Sequence, residues 1–303
     1  MNSKGYFLVF STAVISGFAI FINKYGVSVL NPYIFTWLKG LLTAIFLCGI
    51  IVALKDWPVL KNLKIKQWGL LLIIGLIGGS IPFLLFFKGL SLTNAAQGSF
   101  IHKTMFIYVA FLAVFFLREK LDKRFLIGGL ILILGSLFLL KKIPYSINYG
   151  DLFIFIATLF WAVENIISKY TLKNLEGRTV AWARMFFGSI FIFIFLLFTN
   201  QLSLVTVLNL KQFGWVLFTS VFLFGYVITW YSGLKMIPVS KATVILILGA
   251  PITTSLSLIS GKTIPLNEII AGILIISGVV LILGLKEVRQ LLKNIEKLKY
   301  VWS

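Results

Sequence analysis

Residues 66–87, KQWGLLLIIGLIGGSIPFLLFF, begin with a lysine and then carry no further charge. A helix that crosses a bilayer needs about 20 mostly apolar residues, and this run supplies them. Leu70–Ile77 is apolar or glycine throughout, so the stretch lacks the apolar/polar alternation of a barrel strand. Further along, Lys211-Gln212-Phe213-Gly214 opens a second apolar run in the same manner as Lys66-Gln67-Trp68-Gly69. The reading that follows is a chain of membrane helices, with a theme stated twice.

The rest of the sequence agrees. Its 303 residues are 59% hydrophobic and only 12% charged, with a mean hydropathy of +1.02. Soluble domains average about 45–50% apolar and about 25% charged. Such a surface cannot mainly face water, which excludes a cytosolic enzyme, a disordered chain and a secreted disulfide scaffold. The single cysteine, Cys48, has no intramolecular partner. Ten apolar runs are expected to span the bilayer: 5–23, 33–54, 68–87, 95–117, 125–140, 150–168, 181–199, 213–232, 242–259 and 267–285. Connections between them are too short for a soluble domain. The first run is followed by Phe21, Ile22, Asn23 and Lys24 instead of a small-residue cleavage site, so it reads as a span and not as a signal peptide.

The net charge of +19 could indicate nucleic-acid binding, but the cations are dispersed between apolar runs, which is the pattern of membrane topology. With the N-terminus inside, eighteen Lys and Arg fall on inside segments and six on outside ones. The expected location is therefore the cell membrane, multi-pass, with both termini cytoplasmic. Four further cations, Lys39, Lys103, Arg184 and Lys241, lie within spans or at their ends.

The two halves match at an offset of 145 residues, falling to 143 near the end. Gly5 aligns with Gly150, Asn23-Lys24-Tyr25 with Ser168-Lys169-Tyr170, Trp37 with Trp182, and Lys39 with Arg184. Gly89-Leu90 matches Gly233-Leu234, while Gly129 and Gly135 match Gly272 and Gly278. Five spans per half is an odd number, so the second half enters from the opposite side. The expected fold is an all-α integral membrane protein of ten transmembrane helices, built as two inverted five-helix repeats. Residues 1–145 form the first, 146–285 the second, and 286–303 a cytoplasmic amphipathic tail. Inverted repeats serve secondary transporters because exchanging the conformations of the halves exchanges inward and outward openings.

Particular residues carry a resemblance. Leu117-Arg118-Glu119-Lys120-Leu121, closing the fourth span, is followed by a glycine-bearing fifth span with Gly128, Gly129 and Gly135. Pro251 lies in the ninth span, Trp161 in the sixth, and Lys169-Tyr170 closes the sixth. In these features residues 5–285 resemble the EamA-type members of the drug/metabolite transporter superfamily. The resemblance implies ten spans and export or import of amino acids, metabolites or drugs. Two departures stand out: Gly261-Lys262-Thr263 sits where the acidic signature would recur, and the fourth span has His102-Lys103-Thr104 in place of the usual proline.

Charges inside a bilayer cost at least about 2.5–3.5 kcal/mol at its centre, so those that persist commonly face a cavity. Lys39, Lys103 and Arg184 are candidates to bind an anionic group, with snorkelling to an interface as the structural alternative. Glu164 is the carboxylate deep in a span, with Asn165 beside it. It is a candidate proton carrier, or else one partner of a fixed ion pair between the halves. His102 could relay protons or be a core histidine. Trp161, one turn before Glu164, could wall a site for an amphipathic ligand or simply pack. Three cations against one carboxylate favour a ligand with an anionic group over a lipophilic cation.

Other features read as structure. The small residues Gly128, Gly129, Gly135, Gly272 and Gly278 predict tight packing of span four with five and of nine with ten. Pro82, with Gly78 and Gly79, and Pro251 predict bends. The tail carries Val288, Leu291, Leu292, Ile295 and Leu298 at helical spacing among cations, the pattern of a helix lying on anionic lipid. Phosphate loops, catalytic constellations and metal-ligand spacings are missing from the sequence, so no enzyme activity, cofactor, metal or nucleic-acid partner is expected. The reading is a secondary active transporter of small amphipathic metabolites, such as amino acids or organic acids, acting by alternating access and coupled to protons. It would act as a monomer or homodimer. The alternatives are an exporter of lipophilic drugs and a non-transporting scaffold or lipid-handling protein.

Overall fold

A computed structural model describes residues 3–26, 30–93, 95–140, 148–205, 208–259 and 263–290. Among them the regular structure is helical, without a strand. The boundary at 145/146, Lys141, Lys142, Gly261, Lys262, the side chains of Asn23, Lys24 and Tyr25, and the tail from Leu291 onward lie outside the described residues. The helices are α1 Ser3–Gly26, α2 Pro32–Ala53, α3 Trp57–Lys61, α4 Ile65–Gly79, α5 Ile81–Leu92, α6 Ala95–Lys103 and α7 Met105–Leu117. They continue with α8 Lys123–Phe138, α9 Tyr149–Thr171, α10 Gly177–Phe198, α11 Leu210–Met236, α12 Val239–Leu246, α13 Gly249–Ile259 and α14 Leu266–Leu283.

Eight stretches among the described residues are long and apolar enough to cross a membrane. The chain is a multi-pass membrane protein. The first and fifth apolar runs of the sequence fall on α1, of 24 residues, and α8, of 16 residues, which are not among those eight. The outer surface of α8 suits lipid, with Leu126, Ile127 and Leu130 exposed, as are Phe111, Phe115 and Phe116 on α7.

Three spans are interrupted. Ser80 separates α4 from α5, and Pro82 sits in the first turn of α5, where its missing N–H costs nothing. The fourth span breaks at Thr104 without a proline. The Thr104 hydroxyl donates back to the Ile101 carbonyl at 2.6 Å, a local bond that competes with the helical ladder. The ninth span breaks between α12 and α13, with Pro251 in the first turn of α13.

Packing follows the small residues. The helix α1 lies on α11, α12 and α13, whereas α9 lies on α4, α5, α6 and α7. In the first group a Cβ on Gly233 would come within 3.1 Å of the Gly5 carbonyl oxygen, and in the second one on Gly89 within 2.7 Å of that of Gly150. The helices α2 and α10 run antiparallel, pairing Tyr33 with Phe195, Trp37 with Phe193 and Gly40 with Ser189.

The expectation for the glycines of the fifth and tenth spans needs correction. The tight contacts join α8 to α14: a Cβ on Gly128 would lie 2.9 Å from the Gly278 carbonyl oxygen, and one on Gly135 would lie 2.9 Å from Leu274. Gly129 and Gly272 do face spans four and nine, but at ordinary van der Waals distance, 3.7 Å from Phe106 and 3.6 Å from Pro251. Without a hydrophobic drive between helices in lipid, the closest backbone approach sets the partner, and here that partner is the equivalent span of the other half.

Candidate functional site

The helix α9 turns one face inward, and Trp161, Glu164, Asn165 and Ser168 lie on it, all buried. This follows from helical spacing, since positions three and four apart share a face. Glu164 is 1% exposed. Its Oε1 accepts a hydrogen bond from Ser168 Oγ at 2.5 Å and another from the Tyr231 hydroxyl of α11 at 2.6 Å. Two donors on one oxygen, at distances typical of charge-assisted bonds, hold the carboxyl in a single orientation.

Arg184, on α10, reaches the same place from the other side. Its Nη2 donates to the Gly78 carbonyl at 3.1 Å, and Trp161 Nε1 donates to that same oxygen at 3.1 Å. The guanidinium lies over the rings of Phe83, at 5.7 Å, and Tyr231, at 5.9 Å. Gly78 separates Arg184 from Glu164: a Cβ there would collide with Glu164 Cγ and lie 3.3 Å from Arg184 Nε. The two charges face each other across a bare backbone segment and form no ion pair. Arg178 and Asp56, and Lys235 and Glu176, do form ion pairs, both at helix ends.

His102 ends against this group. Its ring meets Trp161 at 4.9 Å and Phe86 at 5.3 Å, and Phe83 meets Trp161 at 5.4 Å. The result is an aromatic wall of Phe83, Phe86, Trp161 and His102 beside Arg184. Three buried polar atoms around it have no hydrogen-bond partner: His102 Nδ1, Asn165 Oδ1 and Arg184 Nε. Asn165 donates its Nδ2 to the Trp161 carbonyl at 2.9 Å, which leaves its oxygen to something else. Buried polar groups are ordinarily satisfied, so three orphans around one tryptophan mark a place with spare hydrogen-bonding capacity.

Of the six residues singled out from the sequence, the fold brings Trp161, Glu164, Arg184 and His102 into one cluster. Lys103 closes α6 next to His102, at the break before Thr104, and is partly exposed. Lys39 is buried on α2, with its ammonium 5.5 Å from the Phe35 ring. The antiparallel register of α2 and α10 sets Arg184 opposite residue 45, six positions beyond Lys39. At about 1.5 Å per residue that is an offset of roughly 9 Å along the helices, so Lys39 lies nearly two turns from the level of Arg184.

Sequence reasoning missed Tyr231, Ser168 and the Gly78 carbonyl. Ser168 was open to discovery as the residue one turn after Glu164; Tyr231 had no local signal. It also missed how the charged ends are used. Lys169 Nζ donates to the carbonyls of Leu234, at 2.6 Å, and Ile237, at 2.7 Å, closing the C-terminus of α11, where a cation suits the helix dipole. Glu119 accepts from Val239 N at 2.7 Å and from Ser240 Oγ at 2.5 Å, closing the N-terminus of α12. On the opposite end Asp151 accepts from Thr93 Oγ1 at 2.7 Å and Gln97 Nε2 at 2.6 Å.

Residues 3–141 and 148–284 each match the sequence profile of the EamA-like transporter family. The chain is 25% identical over 285 residues to the uncharacterized transporter YyaM of Bacillus subtilis strain 168, covering 90% of this chain and 92% of that one. It is 29% identical over 157 residues to protein LicB of Haemophilus influenzae, covering 50% of this chain and 52% of LicB. A solved crystal structure superposes with a TM-score of 0.74 at 17% identity, covering 93% of this chain and 96% of the other. That likeness establishes the fold alone.

Proposed function

The chain belongs to the EamA-like transporter family, and on that footing we propose that it is a secondary active transporter of small amphipathic metabolites that carry an anionic group, such as amino acids or organic acids. One observation carries the reading: three unpartnered buried polar atoms gathered around Trp161. Arg184 Nε is a cationic donor for a carboxylate, Asn165 Oδ1 is an acceptor for an amino or hydroxyl group, and Trp161 with Phe83 and Phe86 would cover the apolar body. Lys39 and Lys103 extend the cationic lining along the path to the site.

Glu164 is proposed as the proton carrier, with His102 as its relay. A proton on its Oε1 would weaken the bonds from Ser168 and Tyr231 and so would loosen the joint between α9 and α11. The absence of a direct Glu164–Arg184 ion pair favours an anionic substrate over a lipophilic drug, since Arg184 keeps its donor Nε for a ligand.

We read the architecture as ten spans in two inverted five-helix repeats working by alternating access, with both termini in the cytoplasm. Equivalent helices make equivalent contacts in support of this: α1 on α11 and α9 on α5, α8 on α14, and α2 on α10. The breaks at Thr104 and at residues 247–248 lie at equivalent positions of the two halves. Asp56–Arg178 and Glu119–Ser240 tie the first half to the second at one end, and these ties would open when that side of the site opens.

Uptake into liposomes loaded with a pH dye tests this. Substrates would first be found by thermal shift against amino and organic acids. Arg184→Gln should abolish binding of the substrate, whereas Glu164→Gln should leave binding in place and remove the accompanying proton movement. If both variants transport with unchanged affinity and unchanged proton flux, the site is misassigned.

A further inference from the structure

We propose that the paired ends of α8 and α14 form a binding site for the headgroup of an anionic phospholipid. The register of the two helices places the ends together. Gly128 meets Ile282 and Gly135 meets Ile275, so the helices run antiparallel and residues 123–124 lie beside 286–287. The side chains bear this out, for a Cβ on Gly284 would lie 3.9 Å from Arg124 Nη1 and 3.1 Å from Glu287 Oε2.

Six cations gather there: Arg118, Lys120, Lys123 and Arg124 before and at the start of α8, and Lys286 and Arg289 after α14. All six are exposed, and none takes part in the ion pairs of the described residues. The nearby carboxylates are occupied or outnumbered. Glu119 is committed to Val239 and Ser240, and Asp122 Oδ1 accepts the Phe125 N–H at 2.9 Å as the N-cap of α8. Glu287 alone remains to face the cations. Lys123 and Arg124 also occupy the first turn of α8, where the helix dipole is positive and the N-cap Asp122 is the one carboxylate against two cations. Cations in that position repel the dipole as well as one another, and an anion seated among them relieves both.

The surroundings select a lipid over a free anion. Directly below the cations, the outer face of α8 exposes Leu126, Leu130 and Leu134, spaced one turn apart, and α14 exposes Ile273 and Ile276. A phosphate group held by the basic ends would carry its acyl chains along this apolar stripe, as basic pockets between transmembrane helices do for anionic headgroups. The proposal rests on the membrane-spanning fold and not on the transport site.

The test is native mass spectrometry of the full chain in a neutral detergent, titrated with phosphatidylglycerol and, separately, with phosphatidylcholine. The wild type should retain phosphatidylglycerol selectively. Lys123→Gln/Arg124→Gln should weaken that retention about fivefold per cation, the equivalent of ~1 kcal/mol each. Lys61→Gln/Lys64→Gln, which removes two exposed cations from the α2–α4 connection, should leave it unchanged. Equal loss in both double variants, or none in the first, overturns the site. If inorganic phosphate displaces the lipid at equal concentration, the pocket reads a free anion and the lipid assignment fails. Should the first double variant not fold, Lys286→Gln alone decides by the same retention: weaker supports the site, unchanged overturns it.

Discussion

Gly188→Ala puts the packing argument at risk in one substitution. A Cβ at Gly188 would lie 2.6 Å from the Gly79 carbonyl oxygen and 2.7 Å from Gly79 Cα. The atoms met are backbone, so no side chain can swing away. Restoring a contact of 3.4 Å requires α4 and α10 to separate by about 0.8 Å, and overpacking of this kind costs about 1–3 kcal/mol. The same displacement reaches the site. Arg184 lies one turn from Gly188, and its 3.1 Å bond to the Gly78 carbonyl would stretch to roughly 3.9 Å, beyond hydrogen-bonding range. The control is on the partner helix, α4: at Gly69 nothing stands within 4 Å of the new Cβ. Gly69→Ala should therefore stabilise by about 0.5–1 kcal/mol, the entropy a helical glycine loses on folding. Reversible unfolding in mixed micelles with SDS reads both. A Gly188→Ala variant within about 0.5 kcal/mol of wild type, the range of an inconsequential surface change, would refute the geometry of the α4–α10 crossing.

The capping charges rank clearly against the surface pair. Lys169→Met strips charge-assisted bonds from the carbonyls of Leu234 and Ile237 and should cost about 2–3 kcal/mol in the same unfolding assay; a loss below about 0.5 kcal/mol would show the cap to be idle. Glu119→Ala, which orphans Val239 N and the Ser240 hydroxyl, should cost about 1–3 kcal/mol, whereas Glu119→Gln keeps an acceptor and should cost less than half of that. Asp56→Asn should change stability by less than about 1 kcal/mol, because the Arg178–Asp56 pair is part-exposed and screened. A larger loss for Asp56→Asn than for Glu119→Ala would reverse the ranking. Tyr231→Phe removes one of two donors to Glu164 Oε1 while keeping the ring under Arg184, and should cost about 1.5 kcal/mol, the lower end for a bond to a charged group. Unfolding unchanged by Tyr231→Phe would mean the bond contributes nothing.

Much of the membrane architecture was legible because its signals are local. Apolar run length marks spans without any knowledge of partners, and a matched register of glycines and cations announces two similar halves. The depth of Glu164 and Arg184 was legible for the same reason, as was the aromatic residue one turn away. What stayed hidden depends on which helices touch. Tyr231 looks like any interfacial tyrosine until α11 is laid against α9, and the Gly78 carbonyl has no side chain to advertise it. The glycines of α8 and α14 announced close packing but not its partner. Lys169 was counted as a marker of topology, although its ammonium is turned onto the end of α11. The break at Thr104 was invisible to a search for proline, because a hydroxyl returning to Ile101 breaks the ladder equally well.

Gly78 and Gly79 connect the site to the motion proposed for the protein. They lie on α4, in the first half of the chain, while Trp161, Glu164, Arg184 and Gly188 belong to the second. The Gly78 carbonyl is the shared acceptor of Trp161 and Arg184, and Gly79 is the surface on which Gly188 rests. Rocking of one half against the other must slide this backbone past α10. With no Cβ on Gly78, Gly79 or Gly188, the crossing has no knob to lift over, so the sliding barrier stays low. Yet any slide alters both bonds to the Gly78 oxygen together, freeing or engaging the guanidinium and the indole in one step. On the proposed transport reading, an anionic ligand on Arg184 would stabilise whichever position leaves that guanidinium free, and binding would thereby be coupled to the relative position of the halves through a single carbonyl group.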